Sequence, residues 1–76
     1  MSKIRSVVLW TSGTVTTFSD DGRQMPEYQG RLLDVRDAVL RDAPPEATFS
    51  VGRFREWMMS VPRAHLASEG WGGERR

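Results

Sequence analysis

Cysteine is absent from this 76-residue chain, and histidine and lysine occur once each. The absence of cysteine excludes disulfide bonds, thiolate metal sites and cysteine nucleophiles. His65 and Glu69 have the spacing of two ligands on one helical face, but a catalytic zinc ion needs three protein ligands. We therefore expect the protein to hold neither a metal ion nor a cofactor.

Long hydrophobic runs are also missing. No apolar segment approaches the roughly 18 residues that a membrane-spanning helix requires. The longest apolar run near the N-terminus, residues 7–10, is shorter than the apolar part of a signal peptide. We therefore expect a cytoplasmic protein that does not associate with membranes.

Neither sign of charge dominates, because 11 basic and 10 acidic side chains give a net charge of +1. This balance disfavours a strongly basic nucleic-acid binder and an acidic mimic of DNA as descriptions of the whole molecule. Ten of the 11 basic residues are arginine, and asparagine is absent, a pattern typical of a GC-rich genome.

Catalytic signatures are lacking as well. Residues 11–14 have neither the lysine nor the glycine spacing of a phosphate-binding loop. The acidic turn at Asp20 and Asp21 lacks the alternating oxygen ligands of a calcium loop. None of the seven serines is accompanied by a recognisable histidine and acid partner. We therefore predict that the protein is not an enzyme.

An N-terminal β-hairpin is predicted over residues 4–10 and 14–18, which are rich in β-branched and aromatic side chains. Ser12-Gly13 fits a two-residue turn between the two strands. This turn places Trp10 opposite Val15, so that both faces of the hairpin carry apolar residues. We therefore expect the hairpin to be covered on both sides or to lie at a partner surface. A short third strand is predicted over residues 23–25.

The clearest helix is predicted over residues 31–42, before two prolines that stop it. Its apolar residues fall within one arc of roughly 160°. These residues are Leu32, Leu33, Val35, Val39 and Leu40. Arg36 lies inside the same arc, with no acid three or four positions away. Either its stem lies on the core edge with the guanidinium in water, or it pairs with an acid elsewhere at an interface.

The C-terminal part begins with a predicted strand over residues 47–51, where apolar and polar residues alternate. The next apolar residues then follow helical spacing, which predicts a short helix over 53–59 and leaves an extended continuation as the alternative. These residues are Phe54, Trp57, Met58 and Val61. A last short helix is predicted over 62–69. Residues 70–76 have the composition of a flexible tail.

Together these elements predict a single small α+β domain over residues 1–69. The domain consists of an N-terminal β-hairpin, a central amphipathic helix, a further strand and short C-terminal helical turns.

Candidate binding residues concentrate in the C-terminal part. Tryptophan and methionine are typical of adaptable binding surfaces, and arginines surround them here. If the segment is helical, at least one of the two adjacent methionines should face outward. The candidate set is Trp57, Met58, Met59, Arg53, Arg55 and Arg63, with Trp10 and Arg36 as further interface candidates.

We expect these residues to belong to a small non-catalytic module for protein interaction or regulation. Its partner would be another protein or a second copy of the chain in a homodimer. The alternative is a nucleic-acid-binding accessory protein that uses its arginine-rich flanks. The arginines of this alternative are Arg5, Arg53, Arg55, Arg63, Arg75 and Arg76.

One stretch resembles a known group of proteins. The sequence Phe18-Ser-Asp-Asp-Gly-Arg-Gln-Met-Pro-Glu-Tyr-Gln-Gly30, with the helix and strand that follow, is similar to a loose group of short uncharacterised proteins from bacteria and phages. The resemblance covers roughly residues 4–51 and implies a hairpin, a turn, a helix and a further strand. It implies no function and no catalytic residues, and it makes a phage-related module an expectation.

Overall fold

The computed structural model describes residues 3–53 and 57–71. These residues form a five-stranded mixed sheet with one α-helix and two 3-10 helices, which confirms the predicted α+β class. The elements in chain order are β1 (Ile4–Trp10), β2 (Thr14–Ser19), the first 3-10 helix (Pro26–Tyr28), β3 (Gly30–Arg31), α1 (Leu32–Asp42), β4 (Thr48–Arg53), β5 (Trp57–Val61) and the second 3-10 helix (Arg63–Glu69).

The sheet has the strand order β3-β2-β1-β4-β5, so β1 lies at its centre. β1 pairs with β2 in antiparallel and with β4 in parallel orientation. A parallel partner cannot be reached by a tight turn, and the crossover from β2 to β4 contains α1. β5 then returns antiparallel to β4 and forms one edge of the sheet.

The predicted hairpin is present, but its predicted register is wrong by one residue. Leu9 pairs with Val15, and Trp10 does not. The connection contains three residues, 11–13, and Gly13 at its end has a φ of 92°. A three-residue loop commonly ends in such a left-handed residue, which only glycine adopts without strain. The extra loop residue therefore moves Val15 to the opposite face from Trp10.

The sheet has one face toward the hydrophobic core and one face without helices. Val7, Leu9 and Phe49 point into the core, where they meet Val35 and Val39 of α1. The first 3-10 helix and the C-terminal segment pack on this same side, because Tyr28 and Leu66 join the same cluster. The other face has no helix above it within residues 3–53 and 57–71. We call it the helix-free face.

The predicted helix at 31–42 is confirmed as α1, but its apolar arc is narrower than expected. Val39 is fully buried, whereas Leu33 is 78% exposed. At 100° per residue, Leu33 lies roughly 140° from the direction shared by Val35 and Val39, so it turns away from the sheet. Arg36 is half-buried, and its Nε lies 3.3 Å from the carboxylate of Asp37.

The predicted helix over 53–59 is wrong for its described part, because Trp57–Val61 form the strand β5. Residues 54–56 lie outside the described residues. The helical spacing of the apolar residues is misleading here, because an edge strand that exposes apolar groups on both faces produces the same pattern. The alternative of an extended continuation is the correct one for β5.

The last predicted helix is confirmed as the second 3-10 helix. The predicted tail begins too early, because Trp71 is only 3% exposed and belongs to the core. The rest of that tail, residues 72–76, lies outside the described residues. The short strand predicted over 23–25 is reduced to a single bridge between Phe18 and Gln24, and the edge strand β3 forms later, at Gly30–Arg31.

Candidate binding surface on the helix-free face of the sheet

The helix-free face is defined by strand alternation and by the residue pairs between neighbouring strands. Its apolar members are Val8, Trp10, Phe18 and Met58. Gly52, a set of hydroxyl side chains and, at the β3 margin, Arg31 complete it. The hydroxyl residues are Ser6, Thr14, Thr16, Thr48, Ser50 and Ser60.

The indole of Trp10 bridges three strands of this face. Its Nε1 donates a hydrogen bond of 2.9 Å to Oγ1 of Thr16 on β2. On its other side the ring lies above Gly52 of β4, where a Cβ atom would come within 2.9 Å of Cζ3. The same Cβ would lie 3.0 Å from Cγ of Met58 on β5. The absence of a side chain at position 52 therefore allows the indole and the methionine to pack across the sheet.

Val8 lies beside this arrangement at the centre of the sheet. It is only 4% exposed, although no helix of the described residues covers it. Its partners in the neighbouring strands are Thr16 and Ser50, which are both half-buried. The centre of the helix-free face is therefore closely packed, and the exposed apolar group lies toward the β5 edge, where Met58 is 59% exposed.

Charge is nearly absent from the strand positions of this face. Among the paired positions of this face none carries a carboxylate, and one carries a cation, Arg31, which pairs with Thr14. Without a carboxylate or an imidazole, these positions supply no general acid or base and no hard ligand for a cation. Aromatic, thioether and hydroxyl groups are suited to packing against an uncharged surface and to neutral hydrogen bonds.

Both methionines of the candidate set are exposed. Met58 pairs with Gly52 and lies on the helix-free face, whereas Met59 pairs with Val51 on the opposite face and is 56% exposed. Trp57 opens β5 and its backbone pairs with Arg53 at the end of β4. Arg55 lies outside the described residues.

Arg63 is placed away from Met58 and the helix-free face. Its guanidinium donates hydrogen bonds to the carbonyls of Ala43 and Pro44, at 3.1 and 3.0 Å, just after α1 ends. It also lies 5.2 Å from the centre of the Phe49 ring, a cation–π contact. Arg63 therefore ties the second 3-10 helix to the end of α1.

The arginines of the nucleic-acid alternative do not converge within the described residues. Arg5 lies near the start of β1, and Arg53 lies at the end of the parallel strand β4, at the opposite end of the sheet. Arg63 is engaged on the core side, while Arg55, Arg75 and Arg76 lie outside the described residues.

A second polar cluster joins the first 3-10 helix to the end of α1. The hydroxyl of Tyr28 donates a hydrogen bond of 2.5 Å to Asp42, and Nε of Arg41 donates one of 2.9 Å to the same carboxylate. These bonds lower the pKa of Asp42 to about 2, with Arg41 as the larger cause. The carboxylate in turn raises the pKa of Tyr28. The cluster is exposed and satisfied by its own members, which indicates a structural tie.

The described residues contain no group of three or more acidic or histidine side chains that could hold a metal ion. No helix among them is long and apolar enough to cross a membrane. The buried polar side chains of this described part all have hydrogen-bond partners, as for Thr17, whose hydroxyl donates to the carbonyl of Tyr28 at 2.9 Å.

Sequence reasoning did not identify Gly52 as part of the surface. Gly52 lies between the strand predicted over residues 47–51 and the helix predicted over 53–59, and neither prediction includes it. An isolated glycine within a strand pattern also signals the close approach of another group, and here that group is the Trp10 indole. The isolated glycine could therefore have been combined with the prediction that Trp10 lies at an interface.

Comparison of the chain with protein-family models, with curated proteins and with solved structures finds no match. The resemblance to short bacterial and phage proteins stays a prediction.

Proposed function

We propose that the protein is a non-catalytic module that binds another protein through the helix-free face of its sheet. The observation that supports this proposal most directly is the one-sided coverage of the sheet. An antiparallel sheet with one solvated face usually alternates polar residues on that face. Here the same face carries Trp10 and Phe18, which are half-buried, and Met58, which is 59% exposed, and such apolar surface is typical of an interaction site.

The chemistry of the face favours a partner with an uncharged surface. The paired positions of the face offer a charged partner group no carboxylate and one cation, Arg31, at the margin. A charged group buried elsewhere on the face would therefore have no counter-charge. Hydroxyl groups around Trp10 can form neutral hydrogen bonds with a partner backbone. A regulatory role and a phage-related context remain predictions that follow from the sequence.

The test is affinity capture from the organism of origin with the wild-type protein and two variants. Ser50→Arg introduces a cation into the half-buried centre of the helix-free face. Leu33→Arg introduces the same side chain at an exposed position of α1 and serves as the matched control. Circular dichroism first establishes that both variants are folded. Each captured protein is then purified and titrated against all three chains.

We expect the partner to bind the wild type and Leu33→Arg equally, and to bind Ser50→Arg at least tenfold more weakly. Equal binding by all three chains would place the interaction outside the helix-free face. Retention of nucleic acid instead of protein, with an affinity that falls steeply with salt, would favour the nucleic-acid alternative.

A further inference from the structure

Within residues 3–53 and 57–71, the strand β5 is paired with a neighbouring strand on one side only. The sheet order places β5 at one end, next to β4. The outward N–H and C=O groups of such an edge are a template for a further strand. The opposite edge, β3, has only two residues and runs directly into α1, so it offers no comparable template.

The five residues of β5 lack the residue types that usually protect an edge. Its sequence, Trp-Met-Met-Ser-Val, contains no charged residue, proline or glycine. Met58 and Met59 point to opposite faces of the sheet, and both are more than half exposed. A sixth strand beside β5 would therefore cover apolar surface on both faces of the sheet at once.

We propose that two copies of the chain pair through β5 in antiparallel orientation and form one continuous ten-stranded sheet. A two-fold axis at Met59 places Met59 against Met59 of the partner subunit. Trp57 then lies opposite Val61 of the partner subunit. The pairing uses the same five residues on both sides, as a two-fold interface requires.

A second copy fits this edge because β5 provides both halves of the contact. It is an accepting edge and also an extended apolar strand without charge, so the two copies meet without like-charge repulsion along the strand. The inference goes beyond the proposed function, because it needs no other protein. Pairing through β5 would join the helix-free faces of the two copies side by side into one surface.

A five-residue strand pair buries less area than a standard protein interface. We therefore expect a weak dimer, with a dissociation constant on the order of micromolar. The test therefore needs protein concentrations that run from below to well above the micromolar range.

Sedimentation equilibrium tests the pairing with charged variants at the symmetry axis. Met59→Lys places two cations opposite each other in the dimer, and Met59→Glu places two anions there. Leu33→Lys introduces the same charge at an exposed site on α1 and is the matched control. We expect the wild type and Leu33→Lys to dimerise alike, and each Met59 variant to dimerise at least tenfold more weakly.

Mixing Met59→Lys with Met59→Glu should restore dimers, because opposite charges then meet at the axis. This restoration separates loss of pairing from loss of folding. A wild type that remains monomeric at hundreds of micromolar overturns the proposal. Undiminished dimerisation of both Met59 variants overturns it too, and so does a mixture that stays monomeric. Loss of the dimer in Ser50→Arg alone would replace edge pairing by contact between helix-free faces.

Discussion

At the scale of single residues, the contact between Gly52 and Trp10 decides how the helix-free face packs. A Cβ atom at position 52 would lie 2.9 Å from the indole, closer than side-chain carbons approach in proteins. The indole cannot easily retreat, because its Nε1 is hydrogen-bonded to Thr16. The backbone at Gly52 does not have a positive φ, so the effect of a substitution there would be steric.

We therefore predict that Gly52→Ala lowers the free energy of unfolding by about 1–3 kcal/mol, the usual range for overpacking. Ser50→Ala, in the same strand and on the same face, is the control and should change it much less. Urea unfolding measures both. In a Trp10→Leu background the penalty of Gly52→Ala should shrink, and an unchanged penalty would contradict the steric explanation.

The hydrogen bonds that Asp42 accepts from Arg41 and from Tyr28 make stability depend on pH at both extremes. The pKa of Asp42 falls from its ordinary 3.8 to about 2 in the folded protein. Its contribution is therefore present above about pH 4 and is lost as the pH falls toward 2. The pKa of Tyr28 is raised above its ordinary 10.0, so its contribution is complete below pH 10 and is lost as the pH rises through the folded-state pKa.

Because Tyr28 is the only tyrosine in the chain, its ionisation can be followed directly by ultraviolet absorbance. We predict that Asp42→Asn moves the pKa of Tyr28 back toward 10 and reduces the loss of thermal stability between pH 4 and pH 2. Asp37→Asn, which removes another exposed carboxylate of α1, should leave the Tyr28 titration unchanged. A Tyr28 titration that Asp42→Asn does not alter would show that the hydrogen bond is absent in solution.

At the scale of elements, α1 shows how one helix separates a buried from an exposed apolar position. We predict that Val39→Asp unfolds the domain, because a fully buried carboxylate without a partner is too costly for so small a core. Leu33→Asp introduces the same charge into the same helix at a 78% exposed site and should be tolerated, as should Asp34→Ala. Circular dichroism melting compares the variants, and similar melting of both Asp variants would show that the helical phase is wrong.

The elements with a single strong periodicity could be predicted from the sequence, and those set by their neighbours could not. The phase of α1 follows from its own residues, except at Leu33 on the margin of the apolar arc. The hairpin register depends on one loop residue, and the sequence around Gly13 permits loops of two or three residues. β5 owes its extended form to pairing with β4, which no local pattern records.

Part of the candidate surface could likewise be predicted from residue type, and the rest depends on how the strands are arranged. Trp10 and the exposed methionines were predicted from residue type, because aromatic and thioether groups are frequent at interfaces. Gly52 and Thr16 could not be placed beside Trp10 without the order of the strands. The sequence groups Arg63 with the arginines around Trp57 and the two methionines. Its contacts with Ala43 and Pro44 depend on the packing of the second 3-10 helix against the end of α1, which the sequence does not show.

At the scale of the whole molecule, the core depends on a layer that the C-terminal segment completes. α1 covers part of the sheet, and the residues after β5 cover the Phe49 region of the same face. Trp71 closes this side with an edge-to-face contact to Phe49, at 5.3 Å between ring centres. Gly70 turns the chain into this position with a φ of 100°. α1 and the residues after β5 therefore lie on the same side of the sheet, and the helix-free face remains outside the core.

We predict that Trp71 is needed for a stable fold, because a core this small has few large side chains to replace it. Two chains that end at residue 70 and at residue 71 differ by Trp71 alone, that is by its indole and by the backbone N–H that donates to the carbonyl of Leu66 at 3.0 Å, and the shorter one should be far less stable. In the full chain, Trp71→Ala should lower the free energy of unfolding by about 3–5 kcal/mol. Urea unfolding of these chains measures the effect, and Leu33→Ala is the control for loss of an exposed apolar group. Equal stability of the two shortened chains would mean that Trp71 contributes nothing to the core.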